Sequence, residues 1–338
     1  MIHIFRITTA IVIVAVANFL FWPPNESIIE RNAGLRLDYF RHYLDTNRPK
    51  AVLLGNSIPD DAVDERVVSN LTGIKTIKFI RHGSASAWWY LAIKNVVLKS
   101  SARPDIVVIF FRDHFLTDPT FRVDGRYKYL IDEIAEKDEP LLDRLAYLGN
   151  MSTVEYTLLR YCPLYQKREK VKSAVDSAIK NQLVASMAGI RPGLADLAIQ
   201  KVFADDNMNR NLLTIRQLAA ESAGDQKPFD FDRQVNRSFL PQIISMCKQN
   251  NIRLVLLRMK RRRDAEAEKL PQGLAEYGEK LAKYLADNNV DFIDHTCDPR
   301  ISLEYFGAGD HLTKDRGREL FTGILAQTIK QIITQPSP

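Results

Sequence analysis

The chain has 338 residues, 46% of them hydrophobic and 26% charged, the balance of a globular protein able to bury one large core or two modest ones. That balance argues against wholesale disorder. The net charge of +6 comes from 47 basic and 41 acidic residues spread along the chain, too mild and diffuse to point to nucleic acid. Cys162, Cys247 and Cys297 lie far apart, with no CxxC pair and no metal-ligand spacing, so the fold is not expected to depend on disulfides.

At the amino terminus, Ile7 to Trp22 carries no charge, follows Arg6 and is closed by Pro23-Pro24. Only Thr8, Thr9 and Asn18 interrupt it, without helical spacing, which favours a membrane span over a buried core helix. Arg6 before it and Trp22 at its far end suit an amino-terminus-inside anchor. Ala15-Val16-Ala17 also resembles a signal-peptide cleavage site, although Phe19-Leu20-Phe21-Trp22 would then open the mature chain. Either reading exports the remainder, to the periplasm or the cell surface.

Ser27 to Thr46 then reads as an amphipathic helix with Ile28, Ile29, Leu35, Leu37, Phe40 and Leu44 on one stripe. Ala51 to Gly55 is a short, wholly apolar run stopped by glycine, the pattern of a buried parallel strand. Further strands are expected at Ile77 to Ile80, Ile106 to Phe111, Leu254 to Leu257 and, more weakly, Val290 to Asp294. Helices are expected at Ala85 to Leu98, Leu274 to Asn288 and Asp315 to Ile333. Alternation of this kind implies right-handed crossovers and a parallel sheet covered on both faces. The interval between the third and fourth strands is too long to stay structureless. Its helical stretches at Glu139 to Leu148, Thr153 to Tyr161, Glu169 to Met187 and Leu212 to Ser222 predict an insertion over the carboxyl edge of the sheet. The expected organisation is an anchor over 1–24, an α/β domain over 25–118 and 236–335, and the helical insertion over 119–235.

Ligands of an open parallel sheet bind beyond the carboxyl ends of its strands. Gly55-Asn56-Ser57, Arg81-His82-Gly83-Ser84, Arg112-Asp113-His114, Arg258 to Arg263 and Gly307 to Leu312 all fall there. Ser57 at a strand-to-helix turn could project its hydroxyl out of the sheet, beside unpaired amides that could stabilise an oxyanion. A serine needs a base, and His311 arrives on the loop before the last helix. Asp310 is the nearest carboxylate to orient the imidazole, although neighbouring side chains on an extended loop point apart. Taken singly, Ser57 could be a helix cap and His311 a surface residue. Taken together on one sheet edge, they favour the chemical reading.

Leu53-Leu54-Gly55-Asn56-Ser57 resembles the first block of the SGNH (GDSL-like) hydrolases, where a G-[DN]-S turn carries the nucleophile. Asp310-His311-Leu312, with Gly317 behind it, is similar to the last block, and Gly83 to the glycine of the second. The resemblance covers Ala51 to about Ile329 apart from the insertion. It implies a three-layer α/β/α sandwich with a flavodoxin-like parallel sheet, with Ser57 as nucleophile, His311 as base and Asp310 as partner. Asn56, Gly83 and Arg112 form the implied oxyanion and substrate-binding group. No metal or nucleotide cofactor is implied. The implied chemistry is acyl transfer to, or ester hydrolysis on, an envelope or exported polysaccharide. Its implied partners are an acyl donor and a membrane-bound O-acyltransferase, with the membrane itself reached through the amino-terminal helix and no role for nucleic acid. The alternative is a non-catalytic SGNH scaffold that binds glycan or such a membrane enzyme.

Two departures qualify this carry-over. The family's aspartate three residues before the histidine is Ala308 here, leaving a triad through Asp310, a Ser-His dyad or an inactive site. The third block normally carries an asparagine where this chain has Phe111-Arg112-Asp113. Arg112 could act as a charged donor to substrate, or pair structurally with Asp113. His114 is a spare base. Arg258 to Arg263, basic at every position but Met259, reads as a solvated loop or as a patch for anionic headgroups. Trp88-Trp89-Tyr90 reads as packing between helix and sheet, or as lining of a sugar or acyl groove.

Overall fold

The computed structural model describes residues 26–124, 127–148, 151–162, 165, 230–266, 270, 272–307 and 309–334. The segment Ile7 to Trp22, the expected helices at Glu169 to Met187 and Leu212 to Ser222, and Ala308 lie outside the described residues. Among the described residues no helix is long and apolar enough to cross a membrane.

Helix α1 (Glu26–Asn47) leads into β1 (Ala51–Gly55), α2 (Ser57–Ala62), α3 (Glu65–Thr72) and β2 (Thr76–Ile80). Next come α4 (Ser86–Leu91), which runs on as a π-helical turn (Ala92–Val97), and β3 (Ile106–Phe111). The described parts of the insertion hold α5 (Lys128–Asp132), α6 (Pro140–Leu142) with a second π-helical turn (Asp143–Leu148), α7 (Thr153–Tyr161) and α8 (Phe231–Val235). The chain closes with α9 (Leu240–Gln249), β4 (Arg253–Arg258), α10 (Arg262–Glu266), α11 (Gln272–Asp287), β5 (Asp291–Asp294) and α12 (Arg316–Thr334).

All five strands are parallel, in the order β2-β1-β3-β4-β5. This is one of the two common doubly wound orders, and its reversal point lies between β1 and β3. Ala51↔Ile106 and Val107↔Leu254 fix the central register.

Because side chains alternate across a strand, the central runs divide between two cores. Val52, Leu54, Val107, Ile109 and Leu256 face a layer built from α1, α4, α9 and α11. Leu53, Val108, Phe110, Val255 and Leu257 face a layer built from α2, α3 and α12. Both faces are therefore dry, which is why these strands are apolar throughout rather than alternating. Each fully buried aliphatic or phenylalanine side chain contributes about 1.5–3 kcal/mol against exposure.

The exception in β2 has a local reason. β2 is an edge strand, and Lys78 turns its ammonium onto Asp60 Oδ1 (2.9 Å), Asp60 O (3.1 Å) and Val63 O (3.1 Å), holding the end of α2. Trp88, Trp89 and Tyr90 are all buried in the first core, Trp88 against Phe79 and Tyr90 stacked on Phe239, so they pack between helix and sheet and line no groove. Leu130, Ile134, Leu142 and Tyr147 of the insertion join that same core. The three cysteines are free thiols, and burial pushes Cys247 up to about 12.

Candidate functional site

Ser57 is the first residue of α2, two residues beyond the end of β1. The turn between them is tight. A Cβ at Gly55 would lie 2.4 Å from Pro59 Cγ, so only glycine lets the following helix fold back so closely. Asn56 is the N-cap: its backbone is extended and its Oδ1 accepts from Ile58 N–H at 3.0 Å. At the first helical position the Ser57 amide has no intrahelical acceptor.

His311 reaches the same edge from the far end of the chain. Phe306 and Leu312 form an antiparallel bridge, Gly307 N–H donates to His311 O at 2.7 Å, and Gly309 turns at φ +61°. Thr313 then starts α12 by accepting from Gly317 N–H at 2.9 Å. The loop brings His311 Nε2 to 3.4 Å from Ser57 Oγ. The other ring nitrogen, Nδ1, lies 2.7 Å from Asp61 Oδ2. Nδ1–H donating to a carboxylate leaves Nε2 with a lone pair facing the serine hydroxyl, the tautomer a base requires; the proton is assigned from these contacts.

Asp61, not Asp310, is therefore the carboxylate at the imidazole. It stands four residues after Ser57 on the same short helix, and such spacing puts both side chains on one face. Its orientation is reinforced by Arg318 of α12, whose Nε donates to Asp61 O at 2.9 Å, and by Lys314 just ahead of that helix, whose Nζ lies 3.5 Å from Asp61 Oδ1. The spacing was a usable signal in the sequence, overshadowed there by the carboxylate next to the histidine.

Asp310 points the other way, into the sheet end, as adjacent side chains on an extended loop must. It is 3% exposed and accepts from Arg112, from Arg261 Nε at 3.2 Å and from Arg262 N–H at 3.1 Å. Burial would raise its pKa, but the guanidinium groups of Arg112 and Arg261 outweigh this and hold the carboxyl below its ordinary range. Arg112 thereby pairs with Asp310 rather than with Asp113. Asp113 takes Arg261 at 2.5 Å and Arg263 at 3.2 Å instead.

The basic run is neither a solvated loop nor a headgroup patch. Arg258 is 1% exposed and pairs with Asp294 at 3.1 Å, while Lys260 donates to Asp298 O at 2.8 Å. Arg261 and Arg263 complete the alternating Arg112–Asp310–Arg261–Asp113–Arg263 chain beneath the His311 loop. Arg262 reaches Gly307 O at 3.2 Å, tying the loop's other end.

Gly83 sits in the turn after β2 at φ +82°, where an added Cβ would be 2.9 Å from Tyr127 Cε1. Arg81 N–H (3.1 Å) and the Ser84 hydroxyl (3.0 Å) both donate to Gly55 O, which ties this turn to the Ser57 turn. His114 is placed beside Asp118 and the rings of Phe115 and Tyr277. A further histidine–carboxylate pair, absent from the sequence reading, joins His82 Nε2 to Asp60 Oδ2 at 2.8 Å on the same rim. Among the described residues no group of His, Cys, Asp and Glu could hold a metal ion.

No family model matches the chain, and neither a curated protein nor a solved structure matches it. A hydroxyl, an imidazole of defined tautomer and a carboxylate in series can activate the hydroxyl as a nucleophile toward a carbonyl.

Proposed function

We propose that the chain carries out serine-dependent acyl-ester chemistry, and the observation that carries this reading is the Ser57–His311–Asp61 series. In the proposed reaction Ser57 Oγ attacks an acyl carbonyl while its proton passes to His311 Nε2. The carbonyl oxygen becomes an oxyanion, stabilised by the amides of Ser57 and Gly83. Collapse expels the donor's alcohol, which takes the proton back from His311, and leaves an acyl ester on Ser57. A second hydroxyl, from water or from a sugar, is then deprotonated by His311 and attacks that ester, regenerating the serine. Asp61 faces the imidazolium formed in both halves.

Esterase and O-acyltransferase share the first half and differ only in the acceptor admitted to the second. The resemblance of the Ser57 and His311 blocks to SGNH hydrolases agrees with this reading, as does the placement of both at the carboxyl edge of a parallel sheet. A non-catalytic scaffold would be favoured by an imidazole without a carboxylate; Asp61 supplies one. Our reading further takes Ile7 to Trp22 as a single membrane span, places the domain outside the cytoplasm and assigns it an envelope or exported polysaccharide, with a membrane-bound O-acyltransferase as a partner.

The test is turnover of p-nitrophenyl acetate by the full chain in detergent. A burst of nitrophenol equal to the protein concentration is expected, with the acetyl group found on the Ser57 peptide. Unchanged hydrolysis by Ser57→Ala would overturn the assignment.

A further inference from the structure

We propose that the Ser57 site opens toward a lipid bilayer, so that it meets an acyl donor or acceptor borne at the membrane surface rather than one in bulk solution. This deepens the acyl-transfer reading and rests on the membrane span taken there. Its structural basis is the direction and length of α1.

Three contacts act as rungs that fix α1 along the sheet. Near its end, Asp45 Oδ1 accepts from the Ser100 hydroxyl (2.6 Å) and Ser101 N–H (2.7 Å), in the segment that leads to the amino end of β3. Higher up, Phe40 packs edge-on against Phe79, the penultimate residue of β2, with ring centroids 5.0 Å apart. Higher again, Arg36 meets Glu133, and the same carboxylate takes Arg81 at 2.5 Å. Arg81 directly follows β2, so Arg36 is already level with the carboxyl edge that holds Ser57. The helix therefore runs antiparallel to the strands.

Its length then decides where the chain enters. A helix of 22 residues is about 33 Å long, whereas a five- or six-residue strand is about 17–20 Å. The ten residues from Arg36 back to Glu26 carry the axis about 15 Å beyond the carboxyl edge. The apolar segment Ile7 to Trp22 thus precedes the end of α1 that projects on the Ser57 side, the opposite side from Lys50, Asp105 and Asn289. Seated in a bilayer, that segment holds the domain with its Ser57 edge toward the headgroups.

The test measures which edge is near the lipid, using the full chain in vesicles that carry a headgroup-attached acceptor dye. Cys297 is exposed and lies just beyond the carboxyl end of β5. Gln249 is exposed at the end of α9, ahead of the amino end of β4. A donor dye is placed on Cys297 in Cys162→Ala, or on Gln249→Cys in the Cys162→Ala, Cys297→Ala background. At least twofold greater energy transfer from position 297 than from position 249 is expected, unchanged by Ser57→Ala. Equal transfer, or greater transfer from 249, overturns the orientation while leaving the acyl chemistry standing. Failure of the chain to sediment with vesicles overturns both the orientation and the membrane span. A loss of serine reactivity with transfer intact would count against the acyl reading alone.

Discussion

Replacing Asp61 by asparagine keeps the side chain's size and removes its charge. The Lys314 ammonium, 3.5 Å from Asp61 Oδ1, keeps the amide oxygen on its own side and so turns the NH2 toward His311 Nδ1, which must then accept. That choice puts the ring proton on Nε2, where it faces Ser57 Oγ and cannot accept the serine proton. A fully buried partner of this kind is worth about 10⁴ in rate in a serine protease triad. Here the Asp61 carboxylate is 23% exposed and shares its other oxygen with Lys314 Nζ at 3.5 Å, so water and a second cation weaken the coupling. We therefore expect a loss of about 10³, or about 4 kcal/mol of transition-state stabilisation. The assay is the second-order rate of fluorophosphonate labelling of the full chain, with circular dichroism and the melting temperature recorded for each variant. A folded Asp61→Asn protein that labels within tenfold of wild type would refute the role of Asp61. Asp310→Asn with a deeper chemical defect than Asp61→Asn, at equal stability, would refute it from the other side.

Asp310→Asn should act mainly on stability. Leaving Arg112 and Arg261 without their buried carboxylate is expected to cost about 3–5 kcal/mol, seen as a lower urea midpoint; a loss under 1 kcal/mol would contradict the buried network. Gly55→Ala drives a Cβ to 2.4 Å from Pro59 Cγ and should cost about 1–3 kcal/mol together with serine reactivity. Gly323→Ala, in α12 with nothing within 4 Å of the added carbon, should instead stabilise by about 0.5–1 kcal/mol. His295 is buried, and this burial, only partly offset by Asp298, lowers its pKa from 6.5. The folded state therefore binds fewer protons than the unfolded one just below pH 6.5, so stability is full above that pH and falls as the pH drops toward the lowered folded value. The slope is at most about 1.4 kcal/mol per pH unit, and His295→Gln should flatten it; an unchanged slope would exclude His295 as its source.

The strands were legible because both faces of the sheet are covered, so β1 and β3 are apolar without interruption and their ends fall where glycine or a charge begins. Ser57 and His311 were legible for a related reason: strand ends concentrate reactive groups, and both residues stand on loops at that edge. What escaped the sequence reading was pairing across long separations. Arg261 meets Asp113 across 148 positions and Asp310 across 49, so a run that reads locally as surplus charge is neutralised by carboxylates from β3's end and the last loop. The carboxylate at the His311 imidazole was missed for the opposite reason. Asp61 is so close to Ser57 in sequence that only its helical phase, four residues on, places it across the imidazole.

The central claim is that Ser57 is an activated nucleophile, and intact-mass analysis of the full chain after fluorophosphonate treatment tests it most directly. One adduct per chain is expected, mapped to the peptide that holds Ser57 and lost in both Ser57→Ala and His311→Ala. No adduct on folded wild-type protein, or an adduct that survives either substitution, would contradict it.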